Sequence, residues 1–257
     1  MRTGTALDEL VPERAAGGIA LETTTAPPGF DVAGAQWIEI HRPDGHDQLA
    51  AVFLPHGRSP LGTVVLLHGS SGLARAQLEW GPRLVAAGYR VLAGCYLAAD
   101  AQVAAAIPTA FVPCEGLPPN DPFDTAAVSA AYRALLSTAH ALGGTPGQRL
   151  GVVGVSFGAG VALDVADPTV AAIIADSGHG FAAPSATGGR VLFLGNTTDP
   201  NVPHADVVAY EEALRRAGRA VEDHYYETTG HITILTAADI DDATRRITRF
   251  LDEELKT

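Results

Sequence analysis

Ser156 stands in the run Leu150–Gly160, LGVVGVSFGAG, with Gly154 and Gly158 two places either side of it. The branched apolar residues before it read as a buried strand and the residues after it as the start of a helix. The serine therefore falls at a strand-to-helix junction, where small neighbours let a tight turn push the hydroxyl outward and aim the next amide, that of Phe157, at the same point. The bare G-x-S-x-G pattern says little, because a chain this rich in glycine produces it by chance roughly 0.1 times. A serine hydroxyl is also a poor nucleophile until a base lies within hydrogen-bond reach and a third group orients that base. Two later segments offer those groups: Asp199 follows RVLFLGNTT, and His231 follows VEDHYYETTG. In chain order the set is nucleophile, orienting carboxylate and base. Asp176, at the end of VAAIIA, is an alternative carboxylate. Asp199 is preferred because its loop runs into a helix through DPNVP and lies one strand nearer to His231.

Chemistry of this kind needs elements that deliver three distant residues to one edge. Ligands collect at the carboxyl ends of parallel strands, and these candidates each follow a strand-like run. The pattern begins with QWIEIHRP and LAAVFLP, joined by DGHDQ as a hairpin, followed by the continuous apolar run GTVVLLHG. Strands and helices then alternate: a helix near 76–87, YRVLAGCYL, and a helix with Asp121 as N-cap, Pro122 in its first turn and Val128, Ala131, Leu135 and Leu142 on one face. Beyond Ser156 come VAAIIADSG, RVLFLGNT, a helix near 204–217, VEDHYYET and a last helix. That helix carries Thr236 and Asp239 at capping-box spacing and an apolar stripe of Ile240, Ala243, Ile247 and Phe250. About eight strands in this order predict an α/β fold, a mostly parallel sheet with helices on both faces. Residues 1–34 lack a sustained period and read as an N-terminal arm, with residues 35–257 as one domain. The segment 98–120, with four prolines, reads as a small cap.

Composition narrows the partners. The 257 residues are 47% hydrophobic but only 6% aromatic, so the core is aliphatic. A formal charge of −12 argues against a nucleic-acid or anionic-membrane partner and disfavours strongly anionic substrates. The N-terminal residues do not resemble a signal peptide, and no run of about 18 apolar residues exists to span a bilayer. Cys95 and Cys114 form no CxxC pair and are expected as reduced thiols in a cytoplasmic protein. No histidine pair has metal-ligand spacing and no phosphate-binding glycine loop occurs, so neither metal nor organic cofactor is expected. The expected partner is a small-molecule substrate, and a sheet edge or the N-terminal arm offers a surface for a homodimer.

The strand order, HGSSG after the third strand, GVSFG, the D-P-N-V-P loop and TGH before the final helix together resemble the α/β-hydrolase superfamily, specifically its dienelactone-hydrolase-like group, over residues 37–254. The resemblance implies an oxyanion hole formed by the backbone amides of Ser70 and Phe157. It also brings departures. Dienelactone hydrolases proper carry cysteine where this chain has Ser156, glutamate where it has Gly69, and a substrate-holding arginine where it has Leu235. The acid loop, GNTTD, is one residue longer than the group's usual one. A leucine cannot grip an anion, so a less charged ester, lactone or thioester is expected rather than dienelactone itself. Ser71, Trp80, Tyr96, Phe111, His179 and Phe181 are candidates for the substrate pocket. His68, ending a buried strand, is expected to support the oxyanion loop. Two rival readings remain: an acyltransferase, cyclase or thioesterase using the same triad, and a ligand-binding or cofactor-free lyase member of the fold.

Overall fold

Strands that are apolar on both faces cannot meet water on either, and four segments of this chain have that character. The computed structural model describes residues 11–57, 59–99, 109–118, 125–143, 148–165, 167–228, 230–236 and 238–256. In it β4 (Thr63–Leu67), β5 (Arg90–Gly94), β6 (Leu150–Val155) and β7 (Val170–Asp176) are buried at every residue. With β1 (Ala20–Thr24), β2 (Ala35–His41), β3 (Asp47–Phe53), β8 (Arg190–Asn196) and β9 (Val221–Tyr226), the strand order is β1-β2-β3-β5-β4-β6-β7-β8-β9. Pairing is antiparallel across β1, β2, β3 and β5 and parallel across β6 to β9. This is the expected α/β architecture, with helices flanking the sheet. Among the described residues it has nine strands rather than eight.

The chain divides into two units, Met1–Val65 with Ser71–Gln148 and Leu66–Ser70 with Arg149–Thr257. In the first, the hairpin of β2 and β3 forms as expected, with Trp37 opposite Ala51. The additional strand is β1, inside the segment read as an irregular arm. Only Leu21 is buried along it, so no hydrophobic period announces it, and pairing with β2 supplies its order. The helix expected near 76–87 is two short ones, α1 (Arg75–Leu78) and α2 (Gly81–Ala87). In α3 (Thr125–Gly143) the stripe Val128, Ala131, Leu135 and Leu142 is buried, whereas the expected cap residues Asp121 and Pro122 lie outside the described residues. The Gln48 side chain donates from Nε2 to the carbonyls of Cys95, at 2.7 Å, and Ala131, at 3.0 Å, tying β3 to β5 and α3.

The cysteines depart from expectation: Cys95 and Cys114 form a disulfide with Cα atoms 5.6 Å apart. Their separation of 19 residues gives no local signal. The bond depends on the segment 109–118 returning beside the end of β5, where the Ala98 amide donates to the Pro118 carbonyl at 2.8 Å and the Val112 amide to that of Leu73 at 2.9 Å. A formed disulfide removes the cysteine argument for a cytoplasmic chain. Of the expected cap, residues 100–108 and 119–120 lie outside the described residues. Among the described residues no helix is long and apolar enough to cross a membrane.

The second unit carries α4 (Phe157–Asp164), α5 (His204–Arg216) and α6 (Ile240–Leu255). α6 buries Ala243, Ile247, Phe250 and Leu251 completely, each large side chain contributing about 1.5–3 kcal/mol. Its expected capping box does not form. The N-cap is Asp239, with no side-chain cap bond; the Asp239 carboxylate meets the Thr228 hydroxyl at 2.6 Å and the Thr236 hydroxyl donates to the Ile232 carbonyl at 3.0 Å.

Candidate active site

Only one residue separates the end of β6 from the start of α4, so the chain must reverse direction at Ser156. Its backbone takes φ 52° and ψ −118°, a conformation an L-residue adopts at a cost of about 1–3 kcal/mol. The surroundings hold it there. The Ser156 amide donates to the Asp176 carbonyl at 2.8 Å, and the Ala159 amide returns to the Ser156 carbonyl at 3.0 Å. The flanking glycines answer to close backbone approach. A β-carbon on Gly154 would strike the Gly158 carbonyl, and one on Gly158 would lie 2.6 Å from the His68 carbonyl oxygen and 2.7 Å from that of Leu67. G-x-S-x-G is thus a packing requirement of this turn.

Ser156 Oγ lies 2.8 Å from His231 Nε2, and His231 Nδ1 lies 2.9 and 3.0 Å from the two carboxylate oxygens of Asp199. A carboxylate only accepts, so Nδ1 carries the proton and Nε2 is free to receive the one on the serine hydroxyl. The Asp199 side chain is 3% exposed and that of His231 20%, so the pair is shielded while the imidazole edge stays accessible. Asp199 Oδ1 also accepts from the amides of Asn201, at 2.8 Å, and Val202, at 3.0 Å. These bonds fix the carboxylate on the loop that leads into α5.

Asp176, the alternative carboxylate, is elsewhere. It is fully buried as the last residue of β7, and its oxygens accept from the Thr233 amide (3.2 Å), the Ile234 amide (2.9 Å) and the Ser177 hydroxyl (2.9 Å). Burial pushes its carboxyl up to about 6, partly offset by these donors. It therefore holds the turn just after His231 instead of the imidazole.

Phe157 opens α4, where first-turn amides have no partner within the helix. On the facing loop, a β-carbon on Gly69 would lie 3.4 Å from Ser156 Cβ, so the loop packs closely against the elbow at that residue. His68 is buried, and its Nδ1 donates to the Gly69 carbonyl at 2.8 Å, fixing that loop; burial lowers its pKa to about 4. Of the pocket candidates, Phe181 is 44% exposed and its ring lies 4.9 Å from that of Phe157. His179 turns toward Tyr210, ring centres 5.9 Å apart, and the loop bearing His179 and Phe181 is pinned by Asp164, which accepts from the Phe181 and Ala182 amides at 2.8 and 3.1 Å. Ser71, Trp80, Tyr96 and Phe111 belong to the first unit, where Trp80 and Tyr96 are buried and Phe111 bridges Ala74. Among the described residues no group of three His, Cys, Asp or Glu could hold a metal.

One supporting residue escaped sequence reasoning. Asn196, 2% exposed at the end of β8, donates from Nδ2 to the Gly230 carbonyl at 3.0 Å, immediately before His231. Its only sequence signal is an amide closing the apolar run RVLFLG.

The profile of the dienelactone hydrolase family matches residues 49–247. Among solved structures, one from Klebsiella pneumoniae subsp. pneumoniae MGH 78578, provisionally described as a dienelactone hydrolase, superposes with a TM-score of 0.65 at 19% identity, over 92% of this chain and 99% of that one. Esterase Pf2001 of Pyrococcus furiosus gives 0.61 at 17% identity, over 91% and 98%. Est1E from Butyrivibrio proteoclasticus gives 0.64 at 13% identity, over 88% and 100%. At such identities the likeness to these structures is one of fold. Comparison with curated protein sequences finds no match. The family profile, spanning well over half of the residues, carries the assignment: this chain belongs to the dienelactone hydrolase family.

Proposed function

We propose that the protein is a serine hydrolase cleaving small to medium carboxylic esters, lactones or thioesters through an acyl-enzyme on Ser156. Family membership and its esterase-like fold make it an enzyme of the carboxylic ester hydrolase kind. The observation that supports the serine mechanism is the unbroken hydrogen-bond chain Ser156–His231–Asp199, at 2.8 Å and 2.9–3.0 Å.

In this reading Ser156 Oγ attacks the acyl carbon while His231 Nε2 takes its proton, and Asp199 stabilises the imidazolium. The amides of Ser70 and Phe157 receive the oxyanion, each donor stabilising it by about 3 kcal/mol. His231 then returns the proton to the leaving alkoxide or thiolate. A water deprotonated by the same nitrogen attacks the acyl-enzyme and releases the acid. Leu235 supplies no cation for a substrate carboxylate, and the chain's charge of −12 repels anions, so the acyl group is taken to be uncharged.

The test is labelling with a fluorophosphonate probe and turnover of a panel of esters, lactones and thioesters. Wild type should label at one site, and Ser156→Ala should lose both labelling and turnover. Retained turnover in Ser156→Ala refutes the mechanism. Added alcohol or amine in the assay separates hydrolysis from acyl transfer by the product formed.

A further inference from the structure

Asp176 is a buried ionisable group that the proposed chemistry leaves unused, yet it is bonded to both halves of that chemistry. Its main-chain carbonyl accepts the Ser156 amide at 2.8 Å, and its carboxylate accepts the amides of Thr233 and Ile234 at 3.2 and 2.9 Å. Those two amides belong to the 3₁₀ turn Thr233–Leu235, which begins two residues after His231. We propose that Asp176 is a positioning residue that sets the spacing between nucleophile and base, its main chain holding the Ser156 elbow and its carboxylate holding the His231 loop. This inference rests on the serine–histidine reading above.

The geometry supports transmission over so short a path. Ile232 is extended, at φ −110° and ψ 114°, and is the one residue between His231 and the 233 amide that Asp176 holds. On the other side the Gly230 carbonyl is held by Asn196. The imidazole is therefore suspended between two fixed points, and only one of them also fixes the serine. Burial raises the Asp176 carboxyl, which marks the ionised form as costly in this place; three donors offset that cost, two of them from the histidine loop. An apolar residue of similar size would pack in the core but leave both loop amides unsatisfied. A serine–histidine pair displaced by 1 Å loses about 100-fold in rate.

The experiment measures kcat and KM of Asp176→Ala and Asp176→Asn on a neutral ester, with active sites counted by fluorophosphonate incorporation. Counting sites separates slower chemistry from fewer folded molecules. The expected result for Asp176→Ala is a loss of about 100-fold in kcat per labelled site with KM within about threefold, and for Asp176→Asn, which keeps one acceptor, a partial recovery. If the Asp176 variants do not fold, Thr233→Pro removes one donor from the loop side and leaves the carboxylate in place; kcat should again fall at constant KM. A kcat per labelled site within threefold of wild type overturns the proposal, in Asp176→Ala or, where that does not fold, in Thr233→Pro. Failure of wild type to label, or turnover by Ser156→Ala, overturns the serine reading itself, so the two failures are distinct.

Discussion

Replacing His68 by asparagine isolates one buried titration that acid unfolding should expose. The imidazole is 1% exposed, and its Nδ1 proton is given to the Gly69 carbonyl at 2.8 Å. Burial disfavours the charged ring and holds its pKa at about 4, against an unfolded value of about 6.5. A depressed value means that the stabilisation is complete above the unfolded pKa. It is lost as pH falls, because the unfolded chain takes a proton that the folded one refuses. At about 1.36 kcal/mol per pH unit, the loss reaches about 2 kcal/mol by pH 5 and about 3 kcal/mol by pH 4. Asparagine places an amide N–H near the position of Nδ1 and does not titrate. Urea unfolding of wild type and His68→Asn at about pH 7.5 and about pH 5 measures the effect, since every other titrating group cancels in the difference. The variant should be less stable at the higher pH, and the gap should shrink by about 2 kcal/mol at the lower. A gap that stays constant within about 0.5 kcal/mol, the ordinary error of such differences, would refute the assignment of a neutral buried imidazole.

Asp199→Asn should fold, because its Oδ1 can still accept from the Asn201 and Val202 amides, but should lose about 10³–10⁴-fold in kcat as the imidazole loses its tautomer and counter-charge; steady-state kinetics on the same ester decide this. Reducing the Cys95–Cys114 bond, or replacing both cysteines with serine, should destabilise the chain by about 3 kcal/mol for a loop of this length, read as a lowered urea midpoint; an unchanged midpoint would show that the bridge constrains nothing.

Sequence periodicity found the elements around the site because burial wrote them plainly. β4, β6 and β7 are buried at every residue, and runs dominated by Val, Ile, Ala, Leu and Gly have few other homes than a sheet covered on both faces. α6 was legible for the converse reason: its apolar residues recur on one face, and that face is the buried one. β1 was hidden because it buries only Leu21, and its order comes from hydrogen bonds to β2 that leave no trace in residue type. The α6 cap misled for a similar reason. Thr236 and Asp239 have suitable chemistry, but nearer partners, the Ile232 carbonyl and the Thr228 hydroxyl, take their side chains.

The site divides along the same line. The sequence by itself marked Ser156, His231 and a carboxylate, since nucleophile, base and acid are residue types and each follows a recognisable strand. It preferred Asp199 to Asp176, both acidic residues near a strand end. In the folded chain the two differ in what they reach. Asp176 is the last residue of β7, fixed inside the sheet, and its carboxylate meets the amides of the turn after His231. Asp199 stands three residues beyond β8 on a turn, free to come round to the imidazole. The same holds for Cys95 and Cys114, whose pairing depends on where a loop returns. Residue type and period follow from local chemistry and solvent; which groups finally touch is settled by distances between segments far apart in the chain, and those exist only once it has folded.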